Sequence, residues 1–526
     1  MWEVIISPYG MFMSSLLAFI PLLWLLISLG VMNMPAYKAC LIGLVLSFTI
    51  AVVGWGMPFI LSMKAALEGV VLALWPIIWV IIAAIFTYNV TLKTGAMETI
   101  KGFMASLSGD RRVQALIIAW GFGGFLEAAA GFGTAVAIPA SILIGLGFNP
   151  FFAAIICLIA NTIPVAFGAV GIPITTLAKV ADVDVMQLTY YTALQLTPFV
   201  IMVPFALILI MTKSLAGLKG VISTALVAGL TFAIPQLLIA KFIGPELTAI
   251  VGSIVSMFCT VMWTRLSPPK EVWKFPFEDK NAVTAKVAVV SLKDQMIAWS
   301  PYVLLFILIL GTSKFFPDIN SYLGQVSSTL AIYDGPGGKP MSIAWLITPG
   351  TLIMIAAIIG GLVQGSSTST LVETFGKTVI QLQKTIITII AIVSMAKIMG
   401  YSGMVAGIAV ALAKVTGKFY PLIAPAVGAL GTFVTGSDTS ANVLFGALQK
   451  QTAVAIGADP TWVTASNTTG ATAGKMISPQ SIAVACSATG QEGQEGAILA
   501  VTIKYCIVYV ILVGILVYSF SYSVNF

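Results

Sequence analysis

Apolar residues run along this chain in blocks of about 20, the length needed to cross the hydrocarbon core of a bilayer, with most charges in the loops between them. Such blocks stand near 11–31, 38–57, 67–90, 151–173, 187–212, 221–240 and 246–264. A second set stands near 297–315, 343–364, 379–400, 461–485 and 498–520. The pattern predicts an all-α polytopic membrane protein with about 12 transmembrane helices. Two stretches break the pattern: GFGGFLEAAAGFGT, Gly121 to Thr134, and GALGTFVTGSDTSAN, Gly428 to Asn442, interrupt apolar sequence with glycines and carry one carboxylate each.

The two interruptions are copies. Shifting the numbering by 308 places Gly95 on Gly403, Gly109 on Gly417, Gly123 on Gly431 and Phe125 on Phe433. A shift of 306 places Asn161, Thr162, Gly168 and Pro173 on Asn467, Thr468, Gly474 and Pro479 in the spans that follow. Paired, glycine-interrupted hydrophobic segments in corresponding halves point to the binding site of a transporter. Gly and Pro in mid-membrane remove side chains and an amide donor, so VAFGAVGIPIT and ATAGKMISPQS are expected to unwind. Half-helix N-termini exposed there suit a carboxylate, and unwound carbonyls suit a cation. For any one small residue the plainer reading is close helix packing; the duplication shifts the weight toward function.

Basic residues set the orientation. Lys38, the group Lys93, Lys101, Arg111 and Arg112, the pair Lys213 and Lys219, and the segment Arg265 to Lys293 share one side only if 113–147 enters and leaves on the same face. From Val113 to Phe125 a helix would be roughly 20 Å long, which reaches little past the bilayer centre. The segment therefore reads as a re-entrant helical hairpin, and 421–456 as its counterpart from the opposite face. The expected organisation is an inverted repeat: residues 1–212 with hairpin 113–147 and broken helix 151–173, connecting helices and a cytoplasmic linker over 213–296, then 297–526 with hairpin 421–456 and broken helix 461–485. The start, MWEVIISPYG, has an acid and no basic n-region, so the first block reads as a retained helix with the N-terminus outside.

Composition narrows the function. A hydrophobic fraction of 59% and a charged fraction of 9%, with a mean hydropathy of +1.03, leave little water-facing surface and no separate soluble domain. The net charge of +7 is scattered through short loops rather than gathered in a stripe, which is positive-inside topology and not a nucleic-acid surface. Five cysteines without a CxxC read as small buried side chains. There is no histidine, so neither a metal centre nor a cofactor is expected, and any proton must ride on a carboxylate, Tyr or Lys. No catalytic constellation or G-x-S-x-G is present, which argues against an enzyme. Lipid is the expected surroundings, and no feature sets an oligomeric state.

A charge at the bilayer centre costs on the order of 2.5–3.5 kcal/mol, so the few that occur there need a reason. Glu127 stands among Leu126 and Ala128 to Ala130, a setting that favours the protonated form and makes it the first choice for a proton carrier. Asp438 is surrounded by Thr435, Ser437, Thr439, Ser440 and Asn442, which favour the ionised form; it either couples a proton or ion, or pairs with Lys475 or Lys397. For substrate the candidates are Lys475, Lys397, Asn161, Thr162, Gly171, Ser437, Thr439, Asn442, Asn467, Ser478 and Gln480, with structural ion pairing the competing role for the lysines.

GFLEAAAGFGTAVAIPA, NTIPVAFGAVGIPI, GSDTSANVLFGALQ and GATAGKMISPQSIA together resemble the bacterial L-lactate permease family, along essentially the whole chain. The resemblance implies a protein of the bacterial inner membrane that takes up L-lactate, with D-lactate and glycolate as further substrates, by proton symport. The family's wider kinship implies an elevator-type movement of a hairpin-bearing domain against a scaffold. The residues themselves leave a sodium-coupled transporter of small carboxylates open, since Asp438 and Ser466-Asn467-Thr468 would also suit a cation.

Overall fold

The computed structural model describes residues 2–30, 32, 34–131, 133–269, 272–275, 291–312, 316–491 and 493–523. Among the described residues the chain is helical almost throughout. The one sheet there is an antiparallel ribbon, Ser327–Leu330 against Met341–Ala344, with Ser327 opposite Ala344. Eleven helices among the described residues are long and apolar enough to cross a membrane, which makes the chain a polytopic membrane protein with one such helix fewer than the dozen read from the sequence. Most of the linker expected over 266–295, with Lys270, Lys280 and Lys286, lies outside the described residues.

The differences have physical causes. The block read as 67–90 begins at Phe59, because Lys64 and Glu68 are accommodated within the helix rather than ending it. Glu68 is buried and accepts from Lys397 Nζ at 2.8 Å and Tyr401 Oη at 2.6 Å, which removes the cost that makes a lone charge look like a boundary. The block read as 343–364 is shortened to Pro349–Val363, since Met341–Ala344 is spent on the ribbon.

Helices Ala36–Thr49, Phe59–Leu72, Trp79–Lys93, Leu292–Thr312, Pro349–Val363 and Thr368–Ser402 pack on one another. Glycines set their spacing: a Cβ on Gly69 would meet the backbone of Ser394, and one on Gly360 the backbone of Pro301, the close approach that small residues permit in membranes. A second body contains Val185–Thr212, Ile222–Phe242, Pro245–Leu266, Glu495–Phe520 and the helices of both interrupted regions. Two short helices lead from the first body into those regions, Ala96–Ala105 and Met404–Thr416. Each begins at a glycine in the left-handed conformation, Gly95 at φ 76° and Gly403 at φ 91°, which lets the chain turn sharply after a long helix.

Candidate functional site

Both interrupted regions form helical hairpins. In the first, a helix over 111–129 is capped by Asp110, which accepts from Arg112 N at 2.9 Å. The chain turns with Gly131 at φ 65° and Gly133 at φ 87°, then returns as Thr134–Gly145. In the second, Tyr420–Thr435 turns at Gly436, φ 72°, and returns as Asp438–Ile456 with Ser437 Oγ accepting from Ser440 N.

Each hairpin is followed by a helix in two pieces. Pro150–Ala160 is capped by Asn149 and Pro460–Ile477 by Asp459, so Asn149-Pro150 and Asp459-Pro460 are helix starts with proline in the first turn. The first interruption is wide: 161–171 includes an extended Gly168 and then Ala169, Val170 and Gly171 at φ 43°, 59° and 75°. Left-handed backbone at a β-branched valine is rare and costs of order 1–3 kcal/mol, which the surrounding structure must hold in place. Gly171 also lies where a Cβ would come within 2.7 Å of the Pro245 backbone.

The second interruption is a single residue, Ser478 at ψ 134°, whose Oγ accepts from Ser481 N to cap Pro479–Thr489. The expected unwinding over 471–481 is thus confined to Ser478. Gly474 stays helical because it serves packing: a Cβ there would collide with the Ala429 carbonyl, as one on Gly470 would with that of Pro425 and one on Gly428 with that of Asn467.

The pieces interlock. Pro479–Thr489 packs against Thr134–Gly145 of the first hairpin, and Gly168–Ala181 packs against Asp438–Ile456 of the second. At the first junction Gly168 lies against Glu127, where an added Cβ would sit 2.9 Å from Oε1. At the second, Lys475 Nζ donates to the Gly436 carbonyl at 2.8 Å, and the Gln480 side chain covers Gly436 so closely that no Cβ would fit.

Lys475 joins the two junctions, since its ammonium lies in the field of both Glu127 and Asp438. The acids are 4% and 3% exposed. Asp438 Oδ2 accepts from Thr468 Oγ1 at 2.8 Å. Among the described residues Asp438 Oδ1 and Glu127 Oε2 have no hydrogen-bond partner, and the buried Asn161 amide stands against Glu127. Buried polar atoms are nearly always paired, so this group of polar atoms around one lysine is suited to a polar ligand.

Around the cluster the amides are committed. Asn467 Nδ2 donates to Asn442 Oδ1 at 2.9 Å, Gln449 Nε2 donates to Asn467 Oδ1 at 3.0 Å, and Tyr420 Oη donates to Gln449 Oε1 at 2.8 Å. Asn442 Nδ2 reaches the Pro173 carbonyl at 3.2 Å, pinning the second hairpin to the first broken helix.

The sequence over residues 14–524 matches the profile of the L-lactate permease family. The chain belongs to the L-lactate permease family. It is 46% identical over 439 residues to an L-lactate permease of Streptococcus iniae, covering 84% of this chain and 90% of that one. It is 36% identical over 554 residues to an L-lactate permease of Bacillus subtilis, covering 98% of each. To the glycolate permease GlcA of Escherichia coli it is 36% identical over 548 residues, covering 98% of this chain and 97% of the other. A member of this family with eleven candidate membrane helices among the described residues is a multi-pass protein of the bacterial plasma membrane. It is a transporter rather than an enzyme.

In this permease the cluster brings together Glu127, Lys475, Asp438, Asn161, Ser437 on the second tip, and Gln480 of Pro479–Thr489, which covers that tip. Thr439 is buried in the first turn beside Asp438. Thr162 Oγ1 is spent on the Leu158 carbonyl, and Ser478 is spent on its cap. Asn442 and Asn467 are bound to each other as a support layer. Lys397 is not in the cluster; it pairs with Glu68 on the wall of a separate cavity. Sequence reasoning passed over Glu68 and Lys179 on that wall, and over Gln449 in the support layer. The signal for Glu68 was an acid inside an apolar run, the same signal that singled out Glu127.

Proposed function

We propose that this permease takes up L-lactate, and with it D-lactate and glycolate, by proton symport through the Glu127, Lys475 and Asp438 cluster. The observation that carries the reading is one half-buried lysine in the field of two buried carboxylates with unpartnered oxygens. Charge balance gives the coupling. With one acid protonated, the other and Lys475 cancel, and the empty site is neutral. A second proton leaves Lys475 uncompensated, and a lactate carboxylate restores neutrality. Both forms that cross the membrane are then uncharged, which avoids about 2.3 kcal/mol per charge per 100 mV of opposing potential and the cost of an unpaired buried charge. Glu127 is the proton carrier. Lys475, the Asn161 amide, Ser437 and Thr439 at the second tip, and Gln480 beside it supply the contacts for one carboxylate and one hydroxyl.

In the same reading the hairpins are re-entrant and enter from opposite faces, as halves 1–212 and 297–526 of an inverted repeat joined by 213–296. The glycine turns at Gly95 and Gly403 and the paired proline-started helices at 150 and 460 support it. The body holding the hairpins moves against the body holding Thr368–Ser402, exposing the cluster to each side in turn. The names of the lactate and glycolate permease relatives support the substrate class.

The test is uptake by purified protein in proteoliposomes, with L-lactate, D-lactate, glycolate and longer 2-hydroxy acids, under pH and sodium gradients imposed separately. Accumulation driven by an inward proton gradient with sodium replaced by choline is the expected result. Accumulation that requires sodium would replace the proton by a cation at Asp438.

A further inference from the structure

A cavity of about 960 Å³ opens between the two helical bodies, away from the Lys475 cluster. Its walls include Glu68 and Lys397 from one body, and Thr175, Lys179, Asp182 and Gln451 from the other. Pro336 to Pro340 and the start of the strand Met341–Ala344 also line it; with the linker before Leu292–Thr312 cytoplasmic, one crossing puts this segment outside.

The charges on these walls can be accounted for one by one. Glu68 is held by Lys397 and Tyr401. Asp182 accepts from Lys339 at 2.9 Å, and Asp184 caps the following helix through Gln187 N. Glu246 stands in the first turn of Pro245–Leu266, where the helix terminus favours a carboxylate. Lys179 differs: it is exposed within the cavity and, among the described residues, has neither a hydrogen bond nor an ion pair. On the facing helix Gln451 Oε1 is buried and also lacks a partner. The two helix ends lie side by side, because Lys450 Nζ, one residue from Gln451, donates to the Asp182 carbonyl at 2.6 Å.

An unpaired ammonium and an unpaired carbonyl acceptor that line one cavity from two packed helices are together the complement of a carboxylate next to a hydroxyl. We infer that Lys179 and Gln451 form an outer docking site for a 2-hydroxy carboxylate, which meets it before reaching the Lys475 cluster. The ammonium takes the carboxylate, and Gln451 Oε1 accepts from the hydroxyl. Lys179 and Thr175 are one turn apart on the half-helix that follows the break at 168–171, and Gly168 of that break lies against Glu127, so the site stands at the outer end of a segment that runs to the proton carrier. From Ile172 to Lys179 a regular helix rises about 10 Å, which makes the two sites distinct.

This inference rests on the uptake reading above, and one experiment separates their failures. Lys179→Cys is reconstituted and initial rates of L-lactate uptake are measured before and after external addition of charged methanethiosulfonate reagents, with the unsubstituted protein as control for its native cysteines. KM rises about tenfold with little change in the maximal rate; the cationic aminoethyl reagent restores it, and the anionic sulfonatoethyl reagent does not. Gln451→Leu raises KM for L-lactate but leaves inhibition by propionate, which lacks the hydroxyl, unchanged. An unaltered KM in Lys179→Cys, no reaction from outside, or equal effects of the two reagents overturns the docking site. Absence of lactate uptake by the unsubstituted protein overturns the uptake reading instead.

Discussion

Replacing Lys475 by alanine removes the ammonium that the two buried acids share. An ammonium has three N–H donors, and Lys475 spends one on the Gly436 carbonyl at 2.8 Å, leaving two for a carboxylate. A hydrogen bond to a charged group is worth about 1.5–3 kcal/mol, so losing the lysine lowers lactate affinity roughly 10- to 150-fold. The assay is a binding titration of L-lactate on detergent-purified protein, with elution profile and Tm as checks on folding. Lys475→Arg keeps the charge and recovers part of the affinity. A folded Lys475→Ala variant that binds lactate within about twofold of the unsubstituted protein refutes the assignment of Lys475 to the substrate.

Two further outcomes follow from packing and surface charge. Gly474→Ala drives a methyl into the Ala429 carbonyl and lowers stability by about 1–3 kcal/mol, as overpacking does; in a thermal melt it falls below Gly376→Ala, whose Cβ meets open space and which is expected to be neutral or slightly stabilising. Equal melts for the two variants would contradict the tight crossing of Tyr420–Thr435 and Pro460–Ile477. The hydrogen bond from Lys339 holds the Asp182 carboxyl below the usual carboxylate range, so the pair contributes above an ordinary pKa of about 3.9 and is lost as pH falls through the depressed value. Both side chains are largely exposed, and the contribution is at most about 1 kcal/mol. Lys339→Ala therefore shows a small, constant loss in Tm between pH 5 and 8 that disappears in acid, and a loss that grows or reverses within that range would count against the pairing.

The hairpins were legible because the basic residues share one side only if 113–147 returns to the face it enters, and both glycine-rich regions do turn at glycines, Gly131 with Gly133 and Gly436. The starts of the helices that follow were legible from the apolar blocks, read near 151 and 461 and found at Pro150 and Pro460. Alignment of the two breaks was less informative. A shift of 306 matches Gly168 to Gly474, yet the first opens the backbone beside Glu127 and the second packs a helix against Ala429. A glycine's identity does not say whether its missing side chain serves conformation or contact.

Partnership across the sequence was least legible. Lys397 reads as a lone intramembrane cation until Glu68, 329 positions earlier, is seen against it. The same hidden pair made the third span look shorter than it is. Lys179, at the end of a span, is indistinguishable in sequence from a lysine reaching for the headgroups, and only the cavity around it shows otherwise.

The central claim, that Glu127 carries the coupled proton, is tested most directly by Glu127→Gln in proteoliposomes. Glutamine keeps the size and hydrogen-bonding capacity of the protonated acid but cannot release a proton, so the site is fixed in its loaded form. The variant is expected to exchange external for internal lactate at a rate near that of the unsubstituted protein. It should also fail to concentrate lactate under an inward pH gradient of one unit, which is worth about 1.4 kcal/mol, or tenfold, for one coupled proton. Tenfold accumulation by Glu127→Gln under that gradient would contradict the account.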